Sequence, residues 1–262
     1  MIHRENSDTL VVFTQPTHAW VSGQLARYWG NQRFGEVTPY EEVCLGAALH
    51  DIGWLEWENA PTLNPKTGLP HNYTQMPRHL HLEIWSSASR LALPYGRYAA
   101  LLVSLHGTGL YEGLDDSLEA PEQAEAIRTY LATEQQFQTD LIASLRQDSY
   151  YTNDVTPEIL RRNRWLLSIW DSLSLVICRG VKTSYTLSNV PTAAGETKLM
   201  LSPLESDSNR IQVEPWPFQQ KVLTISVEGR HLAKQSSTQD EMQTALAQAA
   251  SQTMTFHFTQ AL

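Results

Sequence analysis

Hydrophobic residues recur with a helical period through the first two thirds of the chain and alternate near its end. Leu10 to Gln15 (LVVFTQ) reads as a short buried strand closed by Pro16. Thr17 then offers an N-cap for a helix from His18 to about Trp29, with Trp20, Val21, Leu25 and Tyr28 as its inner face. A second helix is expected from Pro39 to Ile52. Leu45, Ala48, Leu49 and Ile52 recur there at i, i+3, i+4 and i+7, and Gly53 can end it. Leu80, Ile84, Ala88 and Leu91 mark a helix around His81 that stops before Pro94. Tyr98, Leu101, Leu102 and Leu105 mark another that ends at His106-Gly107. Ala124 to Leu145 and Pro157 to Cys178 are long helical patterns, the second strongly apolar (WLLSIWDSLSLVIC).

Two stretches break the period. Glu56 to Pro77 has four prolines and three asparagines, and a long aperiodic segment inside a compact domain is usually a functional loop or lid. Glu112 to Glu125 is acidic and loop-like, a solvated face. Past Gly180, Lys198–Leu204, Arg210–Glu214 and Val222–Val227 read as strands around a Pro215-Trp216-Pro217 corner. Gln239–Ala250 is helical and Met254–Phe258 is a last strand. The expected architecture is mainly α (α+β). A helical domain spans 1–185, and an α+β subdomain over 186–262 holds a small antiparallel sheet that the N-terminal strand can join.

With 42% hydrophobic and 18% charged residues, the 262-residue chain has ample material for a core. A formal charge of −9 argues against a nucleic-acid polymer as partner, since tracking phosphates needs clustered Lys and Arg. It leaves room for a small phosphate ester drawn in by a metal. The opening MIHRENSDTL has no apolar run of signal-peptide length, and no stretch approaches a membrane span. Cys44 and Cys178 lie in apolar helical patterns and read as buried thiols of a reducing cytoplasm.

The candidate chemistry sits on five of these helical neighbourhoods: His18, His50 with Asp51, His81, His106 and Asp171. Imidazole and carboxylate together suit Fe, Mn or Zn, and one bridging carboxylate lets such a set hold two ions. Asp171 is the most telling. An ionised carboxylate in the middle of an apolar helix costs several kcal/mol unless a metal, Arg or Lys faces it.

This order of residues resembles the HD superfamily of metal-dependent phosphohydrolases. The matching pieces are His18, AALHDIGW at 47–54, HLEIW at 81–85, LVSLHG at 102–107 and SIWDSL at 168–173, covering roughly residues 16–180. The whole chain is also similar to an uncharacterised bacterial family of HD-related proteins through QPTHAWVSGQLARYWG, HDIGW, HGTGLY and EPWPF. The resemblance implies an HD-type helical bundle with a small C-terminal sheet. It makes His18, His50, Asp51 and Asp171 ligands of one ion, with Asp51 the catalytic residue bridging to a second ion on His81 and His106. His79 is the alternative to His81. One or two divalent ions would polarise a phosphoryl oxygen of a small substrate and supply hydroxide near neutral pH. Trp54 stands where many relatives carry Lys, and Gly107-Thr108-Gly109-Leu110-Tyr111 replaces the signature of the cyclic-dinucleotide branch. Trp54, Trp57, His71 and His79 are the candidate substrate-binding residues. The alternatives to a hydrolase are an HD-type di-iron oxygenase and a non-catalytic metal-binding module.

Overall fold

A computed structural model of the chain describes residues 1–5, 10–114, 120–204, 207–232 and 235–261, so part of the acidic 112–125 segment lies outside the described residues. Two short strands, β1 (Ile2–Glu5) and β2 (Leu10–Phe13), precede α1 (Gln15–Tyr28) and α2 (Tyr40–Leu49). A 3-10 turn over Ile52–Trp54 leads to the short α3 (Leu55–Asn59). The aperiodic segment then forms a hairpin, β3 (Leu63–Asn64) with β4 (Leu69–Pro70), and a 3-10 turn at Tyr73–Gln75. Next come α4 (Arg78–Ala92), α5 (Arg97–Gly109), α6 (Pro121–Arg146) and α7 (Pro157–Arg179). Strands β5 (Tyr185–Thr192), β6 (Gly195–Leu204), β7 (Asp207–Glu214) and β8 (Val222–Leu232) follow, then α8 (Gln239–Gln248) and β9 (Ser251–Gln260).

The expectation of an HD-type helical bundle carrying a small C-terminal antiparallel sheet is corrected here. The chain is about half helical, and its strands build a large curled half-barrel of seven strands in the order β1-β2-β8-β9-β7-β6-β5. That sheet is mixed, because β9 returns through α8 to run parallel to β7 while pairing antiparallel with β8. The reasons it looked small are local. β5 (YTLSNVPT) contains Pro191 and Asn189, the latter at φ 58° in a bulge between Leu187 and Val190, a composition that reads as a turn. The polar ends Glu228–Arg230 and Ser251–Thr253 pair with each other although neither carries an apolar alternation.

Helix boundaries and faces also moved. Thr14, not Thr17, caps α1, its hydroxyl accepting from the Thr17 amide at 3.1 Å. The helix therefore starts at Gln15, and Trp20 faces solvent at 52% exposure. In α2 the deepest residues are Val43, Cys44, Gly46 and Ala47, while Leu45, Ala48, Leu49 and Ile52 are half-buried. An almost uniformly apolar helix does not declare which of its faces is deepest.

Helices and sheet share one continuous core, from Ile2, Val11 and Phe13 through Leu25, Trp29, Leu101 and Trp170 to Phe256 and Phe258. It crosses the 185/186 boundary without interruption. Trp29 anchors it, with Trp170 and Phe218 set edge-on at 5.9 and 5.6 Å. Two glycines bring backbones together where the chemistry lies. A Cβ on Gly23 of α1 would sit 2.7 Å from the Cβ of Ala48 on α2, and one on Gly53 would sit 2.3 Å from the Ile84 carbonyl oxygen of α4. Gly53→Ala should therefore push α4 away from the 51–54 turn and cost about 1–3 kcal/mol in urea unfolding. A neutral substitution would refute this packing.

Candidate metal centre

The site begins where α2 breaks. Helix α2 stops at Leu49, and Asp51 (φ −100°, ψ 21°) occupies the sparsely populated bridge region before the 3-10 turn. His50 and Asp51 thus project from the break, pressed towards the core by the close approach of Gly53 to α4. The first turn of α1 supplies His18, the last turn of α5 supplies His106, and the middle of α7 supplies Asp171.

Five side chains meet. His18 Nε2 lies 2.5 Å from Asp51 Oδ2 and 3.9 Å from Asp171 Oδ1. His50 Nε2 is 3.6 Å from Asp51 Oδ2 and 3.5 Å from Asp171 Oδ1, while His106 Nε2 is 3.7 Å from Asp171 Oδ2. Donor atoms of His18, His50 and Asp51 lie within 4.8 Å of one another, as do those of His50, His106 and Asp171. Four of the five side chains are at most 4% exposed, and Asp171, at 18%, marks the open side.

Hydrogen bonding fixes the tautomer of one of these histidines. His50 Nδ1 faces the Ala47 carbonyl at 2.8 Å, and a carbonyl only accepts, so Nδ1 carries the hydrogen. His18 Nδ1 faces Ser174 Oγ at 2.7 Å. Ser174 Oγ also lies 2.7 Å from the Asp171 carbonyl and accepts from Ser22 at 3.0 Å, so the His18 ring is held between Ser174 and Asp51 in either tautomer. Each ring then turns its Nε2 towards carboxylate oxygens. The 2.5 Å line between His18 and Asp51 holds a proton, whereas the His50 lone pair, 3.6 Å from Asp51 Oδ2 and 3.5 Å from Asp171 Oδ1, is repelled unless a cation or a proton lies among them. His50 Nε2 is moreover buried without a hydrogen-bond partner. Three imidazoles and two carboxylates with no thiolate suit Fe²⁺, Mn²⁺ or Zn²⁺. The donors form two triads that share His50, each compact enough to hold an ion.

Without an ion, a proton stands in for it. Burial opposes charge on His50, but Asp51 and Asp171 outweigh it and raise the imidazole to about 9. Burial likewise disfavours charge on both carboxylates, yet the facing histidines hold both well below their ordinary value. His106 falls to about 4 through burial and the neighbouring His50 charge, so it is neutral.

The remaining predicted site residues are placed elsewhere. His81 stands outside the cluster with both ring nitrogens engaged. Its Nδ1 meets the Tyr111 hydroxyl at 2.6 Å, and its Nε2 accepts the Trp85 indole N–H at 3.2 Å. The second-ion pairing of His81 with His106 is therefore not what the structure assembles, because His106 turns instead to Asp171. His79, the alternative, is exposed in the first turn of α4. Trp54 is buried edge-on between Trp57 (5.8 Å) and His81 (5.7 Å), and the three form a wall beside the cluster. His71 faces Thr62 Oγ1 at 3.0 Å, inside the hairpin of its own segment. Burial raises the Tyr73 phenol, and Asp171 and Asp51 add to the rise while Arg179 opposes it, so Tyr73 lies in the field of both carboxylates. Tyr73, Ser22 and Ser174 were not singled out in the sequence. The two serines were legible as polar residues at i+4 from His18 and i+3 from Asp171.

The family profile described as protein of unknown function (DUF3891) matches residues 1–234. The chain belongs to that family. The match includes all five residues of the centre and leaves α8 and β9 outside it. No curated protein and no solved structure matches the chain. Among the described residues, no helix is long and apolar enough to cross a membrane.

The pH dependence of metal uptake follows from His50. An ion on Nε2 must displace the proton held there up to about pH 9. Apparent affinity should rise about tenfold per pH unit below that value and level off above it. Calorimetry of Zn²⁺ or Mn²⁺ binding at pH 7.5, in buffers of different ionisation enthalpy, should show about one proton released. Uptake without proton release would remove His50 from the ligand set.

Proposed function

We propose that the chain is a metal-dependent hydrolase of a small phosphate ester or anhydride, of the kind the HD resemblance implies. One observation supports this reading: the buried His50 lone pair, its tautomer set by the Ala47 carbonyl, converges with His18, His106 and two carboxylates where a cation is the complementary occupant. His18, His50, Asp51, His106 and Asp171 would hold one divalent ion, Fe²⁺, Mn²⁺ or Zn²⁺. Three neutral imidazoles and two carboxylates balance its charge. When bound, such an ion polarises a phosphoryl oxygen and lowers the pKa of water to near neutrality.

The chain's own residues then have separable tasks. Ala47 holds the ring of His50 in the tautomer that leaves Nε2 for the ion, and Ser174 orients the ring of His18. The Trp54–Trp57–His81 wall keeps water from one side. Asp171 faces the open side, where substrate arrives. The oxygenase alternative calls for six ligands on two ions, and His81 has both nitrogens spent on Tyr111 and Trp85. Two free, buried cysteines fit the expected cytoplasmic location.

Enzyme loaded with Mn²⁺, Fe²⁺ or Zn²⁺ should release phosphate or a nucleotide from members of a phosphate-ester panel without consuming O₂. Asp51→Ala should abolish this and weaken metal binding at least about 100-fold, since it removes a ligand and a balancing charge. Asp171→Ala should abolish turnover yet leave the metal-free fold within about 1 kcal/mol, because Asp51 still faces the His50 charge. Substrate-dependent O₂ uptake with no phosphate release would overturn the hydrolase. Failure to take up any metal would leave only a binding module.

A further inference from the structure

Helix α7 carries the open side of the centre onwards. Eight residues after Asp171, about 12 Å along the helix, it ends at the exposed Arg179. The Arg179 guanidinium donates to the Tyr73 hydroxyl and lies 5.3 Å from the centroid of its ring. Val176, only five residues after Asp171 on the same helix, reaches the same region. Beyond the Tyr73–Arg179 pair is a cavity of about 590 Å³ between β1, the 67–75 segment and the link from α7 to β5. That volume is in the range of small-molecule sites.

The chemistry of its lining is specific. Arg179 and Lys182 supply two positive charges, and Asn72, Gln75 and Thr183 supply neutral hydrogen-bonding groups. Lys182 donates to the Glu5 backbone carbonyl at 3.3 Å, which leaves its charge uncompensated. Neither cation is ion-paired with a carboxylate among the described residues. Among the described residues Glu5 is the only acidic one in the lining, so their balance there is positive in a chain of charge −9. His3, also in the lining, adds no charge near neutral pH, because burial and then the chain's amino terminus lower it to about 4. An anion is the complementary occupant.

Building on the hydrolase reading, we propose that this cavity binds a second anionic group of the substrate, with Arg179 and Lys182 as the residues that recognise it. The substrate class is then a short, hydroxylated phosphate ester that carries a further phosphate or carboxylate at its far end. The scissile ester lies at the metal centre, the second anion lies in the cavity, and the Tyr73–Arg179 pair stands between them. A flexible polyol spacer suits the amide and hydroxyl lining, whereas an apolar leaving group has no matching surface there. Arg179 would grip the anion through its planar fork and Lys182 as a point charge.

The test compares three esters of one short polyol on metal-loaded enzyme: its bisphosphate, its phosphate with a terminal carboxylate, and its plain monophosphate. The account expects kcat/KM at least about tenfold higher for one or both doubly anionic esters, expressed mainly in KM, and their ranking tells phosphate from carboxylate. In Lys182→Met and Arg179→Met the ratio of doubly to singly anionic kcat/KM should fall about tenfold, with metal content unchanged. Equal kcat/KM for all three esters in the wild type, or unchanged ratios in both variants, would overturn the proposal and leave the hydrolase standing. Should no ester be hydrolysed, calorimetric titration of the metal-loaded protein with the bisphosphate separates the two ideas. Binding that is lost in Lys182→Met and Arg179→Met keeps the anion cavity without hydrolysis, and absence of binding overturns it.

Discussion

A buried imidazole that must present its lone pair to two carboxylates, that of His50, is the constraint on which the rest of this structure depends. Ala47 takes its Nδ1 hydrogen, so the ring cannot turn its other nitrogen into a hydrogen-bond donor unless it becomes charged. A fold that buries this arrangement is stable only with positive charge inside it, whether a proton on His50 or a divalent ion. The carboxylates alone would be costly to bury. The histidines alone would make an ordinary polar core. Their convergence from α1, the break after α2, α5 and α7 makes the centre a cation site.

The fold serves that convergence. Gly23 lets α1 settle on α2, which sets His18 against the 50–51 break, and Gly53 lets the following turn settle on α4. The aromatic anchor of Trp29 with Trp170 and Phe218 ties α1 and α7 to the sheet, so the two helices carrying His18 and Asp171 cannot drift apart independently. A Ser22–Ser174 bond at 3.0 Å adds a polar stitch between the same two helices directly beside the ligands. The curled sheet, which supplies none of the five ligands, is the scaffold against which these helices are held.

How much of this was legible in the sequence depended on how local each signal was. Asp171 stood out because a carboxylate amid WLLSIWDSLSLVIC needs a positive partner wherever the helix packs. The helices around His18, His50, His81 and His106 followed from period alone, to within a few residues at each end. His81 misled for a physical reason. Nothing local says whether a buried imidazole spends its nitrogens on an ion or on neighbours, and here Trp85 one turn away and Tyr111, thirty residues on, take both. The sheet was underestimated because strand pairing is non-local. β5 reads as a turn, and the N-terminal hairpin acquires its meaning only by pairing with β8 more than 200 residues later. Tyr73 lay hidden in a proline-rich stretch whose lack of period gave no sign that its hydroxyl would meet Arg179 at the end of α7.

Anomalous diffraction from crystals grown with iron or zinc, recorded on both sides of the metal absorption edge, tests the central claim most directly. The account predicts a single strong peak within bonding distance of Nε2 of His18, His50 and His106 and of oxygens from Asp51 and Asp171, with His81 still held by Tyr111 and Trp85. A fully loaded crystal with no peak among these five residues, or with the ion held by His81 instead, would contradict it.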